Sequence, residues 1–509
     1  MKEGFPVPLK AVILRSSMKT TKIIAVLLSA MLVLSSCGIF AVNHDRLSNG
    51  NEGGSDDEIT YIPPEYPIIS ETDHEKKASE RVNALPDANL NGQGIVIAVE
   101  KETGDIFNDE AGMYVDAVNY RNSLVSSKYN VNLITIQKNA IDIHTDIRIA
   151  KMNGDYFADI SVLGANYLGA YNSLGYIINM NGLSNVDYTK PYYDQEGIDQ
   201  LSIGNIIYGV VGSATETPDQ YGCLYFNKTL AEKYGITLDY KEIYDNEFTW
   251  DVYFEYLNAV DEDGISFVSS YDDSSIALCS YMGANKTFLS KENGYFVQDY
   301  INDTTRTILS NVKSLLSKRT SSINKTVITQ NANGANVESV VKLSGFDVFV
   351  SGDALTAFGN VGNMTSLQNA GFSWEILPIP LIDGQERYAS STPATVPILS
   401  VLSSSPNISV CGYIVEGFFA VSEDYFKGVF IKNAMKHYTT GIYTPDMLEL
   451  VFENPVYDFV HAFSSASDAL KAGTSSVFLK ALTGKNDIST YYTSKINTNL
   501  KKFLNSFKT

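Results

Sequence analysis

Apolar residues along the chain fall into runs whose spacing switches between uninterrupted and helical, and this alternation predicts the fold class. Ile95 to Val99, within "GIVIAVE", run on without polar alternation, as a strand buried on both faces does. A helical spacing follows from Met113 to Tyr129, then "VNLITIQ" as a second strand, a helix across Ile143 to Met152, and "ADISVLG" as a third strand. Strand, helix, strand, helix, strand with short connections builds a parallel sheet covered on both faces, which is an α/β arrangement. Ligands of such sheets sit beyond the carboxyl ends of the strands. That directs attention to Glu100 after the first strand and to Gly164 to Tyr167 after the third.

A second unit begins near "DQYGCLYFNKTLAEKYGI". Cys223 to Phe226 read as a strand, Asn227 as the N-cap of a helix, and Gly235 as the residue that closes it. In "FTWDVYFEYLNAV" Thr249 is the N-cap and Trp250, Phe254 and Leu257 recur at helical spacing, so Trp250 reads as a structural helix-start residue. Residues 297 to 343 read as mostly helix and loop. "FDVFVSGDALTAFGNVGN" predicts short strands, "FSWEILPIPLIDG" another, and "TVPILSVLSSSPN" one more before a helix through Gly417. From Glu423 onward the pattern is helical, with breaks at Gly441, Pro445 and Pro455.

Ahead of the first strand the pattern has a different character. Ile23 to Leu34 form an apolar run behind Lys19 and Lys22, the flank and length of an export signal and shorter than the about 20 residues a spanning helix needs. Met18 reads as the true start, because Met18 to Lys22 opens a complete signal by itself. Leu34-Ser35-Ser36-Cys37 resembles the bacterial lipobox, which implies that Cys37 is the first mature residue and carries the lipid. Residues 38–93, rich in Gly, Asn, Ser, Asp, Glu and Pro, read as a flexible tether. Two or more acyl chains exceed the marginal binding of one, so the mature chain is expected on the outer face of the cytoplasmic membrane, anchored rather than spanning.

Charge and composition narrow the partners. The chain carries 58 acidic against 38 basic side chains, a formal charge of -20, and loses net positive charge with residues 1–36. Nucleic acid and anionic membrane surfaces are poor partners for such a chain. Cys223, Cys279 and Cys411 sit among apolar neighbours and read as buried free thiols. Neither they nor the five isolated histidines spell a metal site, and no cofactor is expected. Glu375 and Glu416 could be offered as a glycosidase pair, but spacing alone nominates no catalyst.

Over residues 94–465 the order of segments resembles the extracellular solute-binding proteins of bacterial ABC importers, in the carbohydrate-binding class that includes maltose-binding protein. "LYFNKTLAEKYGI" followed by "TWDVYFEYLNAV" is the most specific part of the likeness. "ADISVLGANYLGAYNSLGYIINM", "SGDALTAFGNV", "WEILPIPLIDG", "VLSSSPNISVCGYIVEGF" and "DMLELVFENPVYDF" resemble further family segments in the same order. The resemblance implies a two-lobed periplasmic-binding-protein-like α/β fold of type II, with a hinge between lobes. Lobe one would be 94–222 plus 395–442, and lobe two 223–394 plus 443–509. It also implies a cleft with Glu100, Asn166, Tyr167 and Gln220 or Tyr221 from lobe one, and Phe358, Gly359 and Asn360 from lobe two. Glu100 and Asn166 would hydrogen-bond sugar hydroxyls, and Tyr221 and Phe358 would stack on the ring. Asn166 stands where maltodextrin binders carry an acid, and Leu163 where they carry an aromatic residue, which argues against that particular sugar.

The implied function is a monomeric, lipid-anchored receptor that captures a sugar or oligosaccharide and delivers it to ABC permease subunits, without catalysis. A surface sensor of the same fold signalling to a membrane partner is the alternative. A secreted glycan hydrolase is a third reading, and it requires two carboxylates within about 10 Å facing the cleft.

Overall fold

Eight strands build two four-stranded sheets: β1 Gln93–Glu100, β2 Val131–Lys138, β3 Ile160–Gly164, β4 Gly222–Asn227, β5 Phe267–Ser269, β6 Thr356–Asn360, β7 Trp374–Leu377 and β8 Pro397–Val401. The computed structural model describes residues 71–101, 105–108, 110, 112–260, 267–292, 295–298, 301–320, 322–330, 336–438, 441–463 and 475–483. Cys37, the export signal and the tether as far as residue 70 lie outside the described residues.

The first sheet has the order β8-β3-β1-β2. β1 runs parallel to both neighbours, with Ile97 opposite Thr135 on β2 and Ile160 on β3, while β8 runs antiparallel to β3. Central parallel strands are covered on both faces, which is why β1 and β3 carry continuous apolar runs. Ile95, Ile97, Ala98 and Val99 are buried, as is every residue of β3. The crossover helices are Val115–Tyr129 and Ala140–Asn153, each ended by a left-handed residue, Asn130 and Gly154. Those positive φ values stop the helix and turn the chain into the next strand or loop.

The second sheet has the order β7-β4-β6-β5 and is mostly antiparallel: β4 opposes both β6 and β7, and only β6 and β5 run parallel. Asn227 caps the helix Lys228–Lys233 by accepting from the Leu230 amide at 2.9 Å, and Thr249 caps Trp250–Ala259. Trp250 is buried at the start of its helix, as a structural residue should be.

The chain crosses between the sheets before β4, again before β8, and again beyond the helix Tyr425–His437. The last two crossings meet where Ser390–Ser391 pairs in parallel with Pro455–Val456. A Cβ added at Gly222 would lie 2.3 Å from the Ser391 hydroxyl, so the first crossing is packed against the second. The helix Thr444–Phe452 packs on β7, but Phe459–Ala462 returns to the turn Ala165–Tyr167, and Ser475–Thr483 packs on the helix Asp273–Gly283. The segment after residue 443 therefore does not stay with the second sheet throughout.

Three segments depart from the sequence reading. Residues 71–84, expected in the tether, form a helix whose Ala78 and Val82 enter the core against helices Val115–Tyr129, Ile408–Ser422 and Tyr425–His437. Its Arg81 also reaches Glu423 at 2.7 Å. Two apolar residues at i and i+4 in a polar segment gave too narrow a stripe to read. Between 297 and 343, after the helix Asp303–Ser317, lies a hairpin of Ser322–Gln330 with Asn336–Ser344. Its second strand is almost wholly exposed, so no inward and outward alternation marked it. Phe346–Val350, expected as strand, is one turn and a half of helix. The three cysteines are buried free thiols, and burial pushes Cys279 up to about 11 and Cys411 to about 12. Among the described residues no helix is long and apolar enough to cross a membrane.

Candidate ligand-binding site

β1 ends in Glu100, at the carboxyl edge where a parallel sheet exposes its ligand groups. The side chain is nonetheless 2% exposed, because the next parallel strand claims it. One carboxylate oxygen accepts from the Gly164 amide at 3.0 Å, and the other lies 3.1 Å from His144 Nε2 on the helix Ala140–Asn153. His144 Nδ1 meets the Tyr171 hydroxyl, and the Tyr167 ring covers the imidazole at 3.8 Å between centroids. Burial and then the Glu100 charge hold the Tyr171 phenol well above its usual value. The neighbouring turn is stitched to the second crossing by Ala165 N to Val396 O at 2.8 Å and Asn166 N to Ala394 O at 2.7 Å. Asn166 Oδ1 is buried beside this cluster without a hydrogen-bond partner among the described residues. Glu100, Asn166 and Tyr167 are thus brought together, with Glu100 as an internal tie between β1, β3 and a helix.

Immediately beyond Glu100 the chain lines a cavity of about 370 Å³. Lys101, Ile106, Met113 and Tyr114 from the segment after β1, with Phe430 and Tyr438 from the helix Tyr425–His437 and its end, form one wall. Gly362, Met364 and Thr365, in the 3-10 turn Val361–Leu367 after β6, form the other. Thr217 and Asp219, where the chain first crosses between sheets, lie between the two walls. Gly362 is there because a Cβ would stand 3.0 Å from the Asp219 carbonyl oxygen. Thr217 Oγ1 is buried with no partner among the described residues. A buried hydroxyl left unmade costs about 1–3 kcal/mol, so it favours an occupant that hydrogen-bonds to it. Apolar walls with a few converging polar groups are the chemistry of a small polar solute that keeps an apolar face.

None of the eight expected residues, Glu100, Asn166 and Tyr167 included, lines this cavity. Gln220 ends the turn next to Asp219 and is half-buried. Tyr221 is fully buried, edge-on to Phe452 with centroids 6.1 Å apart, and cannot stack on a ligand in this form. Phe358 is also fully buried and packs with Trp250, Tyr253 and Phe267, because its side of β6 faces the helix layer. Gly359 lies against Tyr225 and Ser270, where a Cβ would approach both at 3.3 Å. Asn360 spends its amide oxygen on the Asn363 amide at 3.2 Å, and Asn363 returns the bond at 2.9 Å. Six of the lining residues stand one to five positions from the expected ones, at Lys101, Thr217, Asp219, Gly362, Met364 and Thr365. Met113, Tyr114, Phe430 and Tyr438 carried no local signal, since only the tertiary fold brings them to the wall.

The two glutamates considered as a hydrolytic pair are both occupied. Glu375 on β7 accepts from Tyr240 at 2.9 Å and from Thr444 at 2.6 Å, and burial raises its pKa. Glu416 accepts from the Tyr193 hydroxyl at 2.9 Å and the Asp187 amide at 3.2 Å, and Tyr192 donates to its other oxygen. Neither lines the cavity. Among the described residues no group of three or more His, Cys, Asp or Glu could hold a metal ion.

No protein-family model and no curated protein sequence matches the chain. Solved structures do. The sugar-binding protein MalE from Xanthomonas citri aligns at TM-score 0.53 and 10% identity, over 82% of this chain and 98% of its own. A cyclo/maltodextrin-binding protein complexed with maltotetraose aligns at 0.52 and 12% identity, over 82% and 98%. The galacto-N-biose-/lacto-N-biose I-binding protein of an ABC transporter from Bifidobacterium longum, in complex with lacto-N-biose, aligns at 0.50 and 12%, over 82% and 99%. At these identities the likeness carries the fold and nothing finer: the chain has the two-lobed α/β fold of the MalE-like solute-binding proteins.

Proposed function

We propose that the chain is a lipid-anchored extracellular receptor that captures a sugar or oligosaccharide between its lobes and hands it to the permease of an ABC importer. The observation that carries this reading is the cavity between the turn after β6 and the segment after β1, with the orphan Thr217 hydroxyl on the crossing segment between them. A solute touching both walls favours the state in which they are close, so binding shifts the lobes toward closure, and the closed form is what a permease distinguishes. The folds it shares belong to binding proteins, and Asp219 is the one carboxylate among the described residues that line the cavity, which supports capture without turnover. The lobe division expected from sequence, the anchor at Cys37 and the permease belong to this proposal.

Calorimetry of the full-length chain in detergent against mono- and oligosaccharides, with amino acids and short peptides as controls, tests it. A saturating sugar at 100 times its Kd adds about 2.7 kcal/mol to the folded state, a readable thermal shift. Thr217→Val should weaken that sugar about tenfold, the worth of about one hydrogen bond. Peptide binding without sugar binding, or turnover of a glycan, overturns the proposal.

A further inference from the structure

A second cavity, of about 290 Å³, shares no residue with the first. Its walls come from the segment Pro191 to Glu196, from Gly212 to Glu216, from the start of the helix Tyr425–His437, and from Glu453 to Pro455 beside the paired crossing strands. Its acidic groups are Asp194, Glu196, Glu216, Glu423, Asp424 and Glu453, and the cations that line it are Arg387 and Lys427. Lys427 is matched to Glu216 at 3.2 Å and Arg387 to Glu196 at 2.9 Å, while Arg81 reaches Glu423 and Asp424. Six carboxylates against three cations leave an excess of negative charge in a partly enclosed space, and such walls concentrate a cation.

Two further observations give the occupant more definition. Asn454 lines the cavity at 5% exposure, and its amide Nδ2 is buried with no hydrogen-bond partner among the described residues, so the wall offers a donor as well as acceptors. Tyr192 and Tyr193 contribute aromatic surface, which an ammonium group tolerates better than a carboxylate does. An inorganic cation would leave Asn454 unmet, and a neutral polyol would bring no cation to Asp194 and Glu453, which stand outside the ion pairs just described.

We propose that this cavity is a second binding site, for a small primary-ammonium compound that also carries a hydroxyl or carbonyl oxygen, the ammonium facing Asp194 and Glu453 and the oxygen accepting from Asn454 Nδ2. The site stands apart from the sugar reading, because the two cavities have no lining residue in common. Asp194 supports it from another side: burial, with Glu216 and Glu196 nearby, pushes this carboxyl up to about 6, and a bound ammonium relieves that repulsion.

The test is calorimetric titration of the full-length chain in detergent at pH 7.5 with ethanolamine, with ethylammonium and ethylene glycol as matched probes. Ethanolamine should bind saturably, ethylammonium several-fold more weakly, and ethylene glycol not at all. Asp194→Asn keeps the N-cap oxygen that accepts from the Gly197 amide at 2.7 Å, so it should fold, and it should lose at least tenfold in ethanolamine affinity. Asn454→Ala should bring ethanolamine down to the level of ethylammonium. No saturable heat, equal binding by folded Asp194→Asn, or equal binding of ethylene glycol overturns the proposal, and none of these outcomes bears on sugar binding.

Discussion

The two sheet units bury different things. Around the first sheet the interior is laced with charge: Glu100, Arg121, Asp159 and Glu416 are all buried. Asp159 alone accepts from Val96 N, Tyr156 Oη, Ser405 Oγ and Asn407 Nδ2 at 2.6–2.9 Å. Around the second sheet the interior is mainly aromatic, with Phe358, Trp250, Tyr253 and Phe267 packed on one face of β6, and Glu375 on β7 is the buried carboxylate of that sheet. Buried charge held by several donors fixes loops in one arrangement, since each donor lost is left unmet. An aromatic core resists by shape and apolar area. The buried charges of the first unit should therefore answer to pH, and the aromatic face of β6 to changes in volume.

The largest expected effect tests the second half of that contrast. Phe358→Ala should cost about 3–5 kcal/mol by opening a cavity among three other rings, and the loss should be the same at pH 5 and pH 8. Urea denaturation at both pH values checks it. A loss that changes strongly with pH would mean that this core is coupled to buried charge, that of Glu375 on β7 or of the first unit. It would also break the comparison.

The next effect is smaller and tests the first half. Asp194 is held up to about 6, against 3.8 for an ordinary aspartate, with burial as the leading cause. A carboxyl raised in the folded state gives stability that is fully present below about 3.8 and lost as pH rises through about 6. Asp194→Asn removes the ionising group and keeps the cap, so the variant should exceed the native chain by about 2 kcal/mol at pH 8. The difference should vanish at pH 4. Thermal melts across that range read the sign directly, and an Asp194→Asn chain less stable at pH 8 would show that the carboxylate is stabilised there by a cation.

The same contrast explains what could be read from sequence. The parallel half was legible because buried parallel strands advertise themselves as unbroken apolar runs, and because their carboxyl ends locate ligand groups by rule. Glu100, Asn166 and Tyr167 were expected that way; they lie near one another around Gly164 and His144, but none of them lines the cavity. The rule has no counterpart in an antiparallel sheet. There a residue's face depends on register, and a single step along β6 separates Phe358 in the core from Gly359 against Tyr225. Likeness to a family placed the wall near residue 360, while the cavity is lined from 362 to 365. The hairpin Ser322–Gln330 with Asn336–Ser344 escaped because an exposed two-stranded ribbon needs no apolar face to report.

The smallest prediction concerns the joint between core and cavity. Asn360 leaves the aromatic sheet as the N-cap of the turn whose Gly362, Met364 and Thr365 line the ligand cavity. Its exchange of hydrogen bonds with Asn363 fixes where that turn begins. Asn360→Ala should cost about 1 kcal/mol of stability, the worth of an N-cap. Asn360→Asp keeps an acceptor for the Asn363 amide and should recover most of that loss. If the turn serves only to close the second unit, ligand affinity in the two variants should follow stability alone. If it positions the cavity wall, Asn360→Ala should weaken the solute by several-fold in protein that is still folded, and Asn360→Asp should restore it. Calorimetry beside urea denaturation separates these outcomes, because a wall held by one cap loses affinity before the aromatic core behind it gives way.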